Sequence, residues 1–165
     1  MMQRWPAISV ARTVRSGWLP TARDLQLWAG AALGARAAPC EISVLLVGPR
    51  ASRALNTHYR GRDRPANVLS FPAPANSPSA GGLLGDLVIC PAVLRAEARA
   101  QHKSERAHWA HLVVHGVLHL AGYDHERQRD AQRMERREIR ALRGLGIANP
   151  YRAPAAPPRR PAVRR

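Results

Sequence analysis

His115, His119 and His125, in the stretch HGVLHLAGYDH, are the residues whose types and spacing best suit chemistry. On a helix, positions four apart share a face, so the first two imidazoles can reach one ion from adjacent turns. Gly122 ends that helix. In the left-handed conformation it turns the chain back and lets His125 approach as a third nitrogen. Three protein nitrogens leave the fourth position of a tetrahedral zinc for water, the arrangement of a catalytic site and not of a closed structural one.

The spacing H-x3-H-x2-G-x2-H resembles that of the metzincin peptidases. Those enzymes carry a glutamate directly after the first histidine as general base, whereas this chain has Gly116, which argues against a peptidase. His111 shares the stripe of His115 and His119. Eight residues of helix rise about 12 Å and zinc–nitrogen bonds are about 2 Å long, so His111 and His119 cannot bind the same ion. His111 is left as a core or outer-sphere residue. Asp86 is a candidate to orient a metal-bound histidine, or else it orders its loop. Asp124, the carboxylate nearest in sequence to the ligands, is a candidate proton acceptor or a turn former.

The helix of this motif needs a sheet to lie on, and the rest of the chain supplies one. Ile8–Val14 alternates and reads as an edge strand. Thr21 caps a helix carrying Asp24 in its first turns and an apolar stripe of Leu25, Leu27, Trp28, Ala31, Ala32 and Leu33, with Pro39 as its stop. Glu41–Val47 is a near-continuous apolar run, the pattern of a central strand covered on both faces. Residues 50–60 form a short helix, Asn67–Phe71 a strand closed by Pro72, and residues 72–83 a proline-, glycine- and serine-rich loop. Leu84–Cys90 is a fourth strand, and Pro91 opens a helix to about His102. Ser104 caps the histidine helix. Glu126–Leu145 is a charged helix with Met134, Ile139 and Leu142 inward and its polar face, including Glu135 and Glu138, in solvent. The expected fold is α+β: a small mixed four-stranded sheet packed with about five helices, one carrying the H-x3-H-x5-H motif. Residues 1–150 make one domain and 151–165 a disordered basic tail.

Charge narrows the partner. The chain has 165 residues and a formal net charge of +15, from 26 basic against 11 acidic residues, which predicts a polyanion. Lys103 is the only lysine, and the guanidinium fork of the arginines suits phosphates and stacking on bases. Cys40 and Cys90 are too few for a disulfide framework and read as free thiols of a reducing compartment. No run approaches a membrane span. The first residues are basic and acid-poor, as in a transit peptide, but lack the apolar core of a secretory signal. They are read as structure because ISVARTV alternates.

HGVLHLAGYDH closely resembles the signature of the YbeY family of bacterial metal-dependent endoribonucleases. LNTHYRGRDRPANVLSFP (Leu55–Pro72) and LGDLVIC (Leu84–Cys90) resemble two further motifs of that family, in the same order along the chain. The resemblance spans about residues 40–151. Ala66 departs from it where the family commonly has threonine, and no acidic residue follows Pro72 where many relatives carry one.

The resemblance implies an α+β fold and one Zn2+ ion on His115, His119 and His125, although nickel suits three imidazoles equally. It also implies catalysis by Arg60, whose guanidinium can hold a phosphate and offset charge developing on it. The implied function is single-strand-specific RNA cleavage in maturation of the 16S rRNA 3′ end and in ribosome quality control. The implied setting is the cytoplasm. Its partners would be ribosomal RNA, the small ribosomal subunit, ribosomal proteins and an assembly GTPase. The rival reading is a non-catalytic ribosome-assembly factor with structural zinc, ahead of a metzincin-like peptidase.

Overall fold

Each strand of the computed structural model has a role set by where its apolar residues fall. The structure describes residues 5–15, 17–35, 37–74 and 82–152. Among these, β1 (Ala7–Arg12), β2 (Glu41–Leu46), β3 (Val68–Pro72) and β4 (Leu83–Ile89) form one sheet in the order β1-β2-β4-β3. β1, β2 and β4 run parallel and β3 runs antiparallel to β4. The sheet is therefore mixed, and the apolar β2 is interior, as its sequence requires. Five helices surround it: α1 (Ala22–Leu33), α2 (Pro49–Arg60), α3 (Pro91–Ala100), α4 (Glu105–Leu120) and α5 (Gln128–Gly144).

Several boundaries differ from the sequence reading for local reasons. β1 stops at Arg12, although the Thr13 N–H and hydroxyl both still donate to Leu46 O. α1 ends at Leu33, where Gly34 takes a φ of +82° and donates its N–H to Gly30 O, so a glycine and not Pro39 stops the helix. Its start is as expected, with Thr21 and Asp24 bonding reciprocally in a capping box. Pro72 belongs to β3, which tolerates it as an edge strand. The basic segment after Arg152 and residues 75–81 of the long loop lie outside the described residues. Tyr151 does not belong to a free tail: its N–H donates to Asn149 Oδ1 and its hydroxyl to Glu138.

The two faces of the sheet are unequal. One carries the main core, where Ile42, Val44, Leu46, Leu87 and Ile89 pack with Trp28 of α1 and with Trp109, Val113, Val117 and Leu118 of α4. Met134 and Leu142 of α5 close this core from outside. The other face is thinner: Val47, Leu69 and Val88 lie under Leu55 of α2, with Phe71 alongside.

α4 lies unusually close to β3 and β4 at Gly116. A methyl group built there would come 2.8 Å from Leu87 Cδ2 and 3.3 Å from both Ser70 Oγ and Val68 Cγ2. The Ser70 hydroxyl also donates to Gly116 O at 3.2 Å. Gly116→Ala is therefore expected to cost about 1–3 kcal/mol through overpacking. Urea unfolding of the variant checks this, and an unchanged midpoint would contradict the close approach.

Candidate metal centre

α4 delivers two of the three histidines because both of its ends are fixed. Ser104 caps the start, its hydroxyl accepting from the Ala107 N–H, and Glu105 sits in the first turn, where the helix dipole favours an acid. At the far end Gly122 adopts φ +91°. The Tyr123 N–H then donates to Leu118 O and the Gly122 N–H to His119 O, the paired bonds of a Schellman turn. Tyr123 packs back on the core, and Arg133 and Arg137 of α5 lie over its ring at 5.5 and 5.6 Å. The reversal brings His125 beside the two helical histidines.

The resulting cluster is compact. His115 Nε2 and His119 Nε2 are 3.2 Å apart, and one ligand atom from each of His115, His119 and His125 lies within 4.8 Å of the other two. Two nitrogens on one tetrahedral zinc stand about 3.3 Å apart, so the observed spacing fits a shared ion. His115 and His119 are partly buried and His125 is exposed, which leaves the cluster open on one side. Burial, followed by the charges of His115 and His125, pushes the His119 pKa down to about 4. His119 is thus a neutral imidazole at pH 7, the form that binds metal.

The other sequence candidates divide. Arg60 is the last residue of α2, before Gly61 at φ +64°, and its charge contributes to the depression of the His119 pKa. It is therefore close enough for its charge to act on His119, although it comes from a distant part of the chain. Asp124 Oδ1 accepts from the backbone N–H groups of His125 (2.6 Å) and Glu126 (3.3 Å), so its carboxylate shapes the turn that presents His125. Asp86 is not brought to the cluster. It lies within β4 and not in a loop, and its side chain alternates to the face opposite Gly85 and Leu87, which meet α4. His111 sits outside the cluster, with Nε2 3.7 Å from Glu138 Oε2.

Glu138 is the residue that sequence reasoning placed wrongly. Instead of facing solvent it is 1% exposed, and its Oε1 lies 2.5 Å from His115 Nδ1. Burial alone would raise its pKa, but hydrogen bonds from His115 and Tyr151, with His111 close by, hold it down to about 2. The signal was present in the sequence. Glu138 is four residues after Met134 and four before Leu142, which places it on the buried stripe of α5. A carboxylate at such a position requires a buried partner. Being ionised, it can only accept, so His115 carries its proton on Nδ1 and turns a free Nε2 lone pair toward His119. Three imidazoles with this orienting carboxylate suit a single divalent metal ion.

Comparison with known proteins places the arrangement in context. A family model described as Endoribonuclease YbeY matches residues 22–146. Endoribonuclease YbeY of Alkalilimnicola ehrlichii is 53% identical over 138 residues, covering 81% of this chain and 83% of the relative. A Thermotoga maritima protein solved in solution shares the fold with a TM-score of 0.53 at 22% identity, over 89% of this chain and 99% of that one.

The depressed His119 pKa, about 4 against an ordinary 6.5, fixes the sign of a pH effect. Between these values the unfolded chain binds the proton more tightly, so the metal-free protein loses stability as pH falls from 6.5 toward 4. Denaturant midpoints of metal-free wild type and His119→Asn across that range check this. The wild-type midpoint should fall more steeply with acid, and parallel curves would contradict it.

Proposed function

The chain belongs to the endoribonuclease YbeY family, and from that premise we propose that it cleaves single-stranded RNA with zinc, maturing the 3′ end of small-subunit ribosomal RNA and serving ribosome quality control. As an endoribonuclease it acts on RNA phosphodiester bonds. The observation that carries the reading is the open three-histidine cluster, with the charge of Arg60 reaching His119.

The surface around Arg60 suits a nucleic-acid strand. Arg60, Arg62 and Arg64 line one groove with Asn67. Among the described residues none of these three arginines is tied into an ion pair, whereas neighbouring Arg53 is held by Asp63 at 2.6 Å. Untied guanidiniums at two-residue intervals can meet successive phosphates. Tyr59 is 60% exposed with its ring edge-on to Phe71, 5.0 Å between centroids, and so offers a face on which a base can stack.

In this reading His115, His119 and His125 hold the ion, which supplies Lewis acidity and makes a nucleophile available at neutral pH. Arg60 binds the scissile phosphate and offsets the charge that grows on it. The nucleophile is either a water at the ion or the RNA 2′-hydroxyl. Gly116 leaves no room for the glutamate of a peptidase, since even a methyl group there meets the sheet. We place the protein in the cytoplasm, working on the small ribosomal subunit with ribosomal proteins and an assembly GTPase. No helix among the described residues is long and apolar enough to cross a membrane.

Cleavage of a single-stranded RNA spanning the immature 3′ end of small-subunit rRNA tests the proposal. Arg60→Ala should lose about 10²–10³ in rate while staying folded, and His119→Ala should lose cleavage together with metal. Arg62→Ala and Arg64→Ala should each lower the salt slope of binding by about 0.7. Folded His119→Ala and Arg60→Ala proteins that cut as fast as wild type would overturn the reading.

A further inference from the structure

The segment after α5 returns to the back of the histidine cluster. Leu145 ends α5, Ile147 donates its N–H to Leu142 O and packs on the core, and the Lys103 ammonium donates to Pro150 O at 2.9 Å. The Asn149 side chain accepts from the Tyr151 N–H at 2.9 Å, fixing the turn that carries Tyr151. The Tyr151 hydroxyl then donates to Glu138 Oε2, while Glu138 Oε1 faces His115 Nδ1 at 2.5 Å. His111 closes the group, with Nε2 3.5 Å from the Tyr151 oxygen and 3.7 Å from Glu138 Oε2. Both carboxylate oxygens of a residue 1% exposed are thus engaged, one by a histidine of the cluster and one by the C-terminal segment.

We propose that Tyr151 and Glu138 are positioning residues for the metal: Tyr151 locks the Glu138 carboxylate, and Glu138 fixes the ring and tautomer of His115, so the segment from Leu145 to Arg152 sets metal affinity. The chemistry is directional. Rotation of the Glu138 carboxylate would release the His115 Nδ1–H, and the imidazole could then move its proton to Nε2, the nitrogen needed for the ion. The Tyr151 hydroxyl opposes that rotation by holding the second oxygen. The hydrogen bonds that link Tyr151 to the cluster run through Glu138 to His115.

This inference rests on the three histidines being a metal centre, and its test separates the two claims. Zinc binding is measured by calorimetry on the full-length metal-free protein, with nitrogen-15 NMR of the His115 ring at pH 8. Wild type, Tyr151→Phe, Glu138→Gln and Glu138→Leu are compared. Wild type should bind one zinc and show the Nδ1–H tautomer. Glu138→Leu should weaken zinc about 10–100-fold and mix the tautomers. Glu138→Gln, which keeps an accepting oxygen, should recover part of the loss. Tyr151→Phe keeps the ring and should lose about 3–10-fold, the value of one hydrogen bond. If wild type binds no zinc, the metal-centre reading falls and this inference with it. If wild type binds but folded Tyr151→Phe matches it in affinity and tautomer, the inference alone is overturned. Should Glu138→Leu fail to fold, Tyr151→Phe and Glu138→Gln still decide.

Discussion

The site depends on how closely α4 lies against the sheet. Three imidazoles converge only if the last turns of that helix are held in one register, and the contact that holds them is the approach of Gly116 to Leu87, Ser70 and Val68. A side chain there would press on Leu87, Ser70 and Val68 and disturb the seating of the helix turn that carries His115 and His119. The same contact removes the position at which a metal peptidase keeps its base. One packing constraint therefore both builds the cluster and limits its chemistry.

The electrostatics follow from that placement. His119 is kept neutral by burial and by its histidine neighbours, while Glu138 is kept ionised by the donors around it. The carboxylate orients one ligand, and the depressed imidazole is ready to act as another. The core of Trp28, Trp109, Leu87, Ile89 and Leu118 is continuous without the cluster, which lies at its edge with His125 exposed. This favours a chemical role for the ion over a structural one.

Much of this was legible in the residues. The strands and helices follow from apolar runs and caps: Thr21 and Ser104 start α1 and α4, and Gly122 reverses the chain before His125. The spacing of the three histidines carries the cluster because helix geometry is local. What depends on tertiary placement was harder to read. Glu138 looked like one acid among many arginines, and only its position on the Met134–Leu142 stripe marked it as buried. Tyr151 looked like the start of a tail because no local pattern shows that a loop returns to a distant carboxylate. Asp86 was read as ordering a loop or orienting a ligand, but it lies within β4 on the face away from α4. The stop at Gly34 was missed because the apolar stripe hid a glycine that needs no side chain to end a helix.

A catalytic ion on the histidine cluster, with a fold that stands without it, can be tested in one experiment. The most direct measurement strips the metal with a chelator and follows RNA cleavage and the denaturant midpoint together, before and after one equivalent of zinc is returned. The stripped protein should be folded and inactive, and its cleavage should return with the single equivalent. A stripped protein that still cuts RNA, or one that unfolds outright, would contradict this role for the ion.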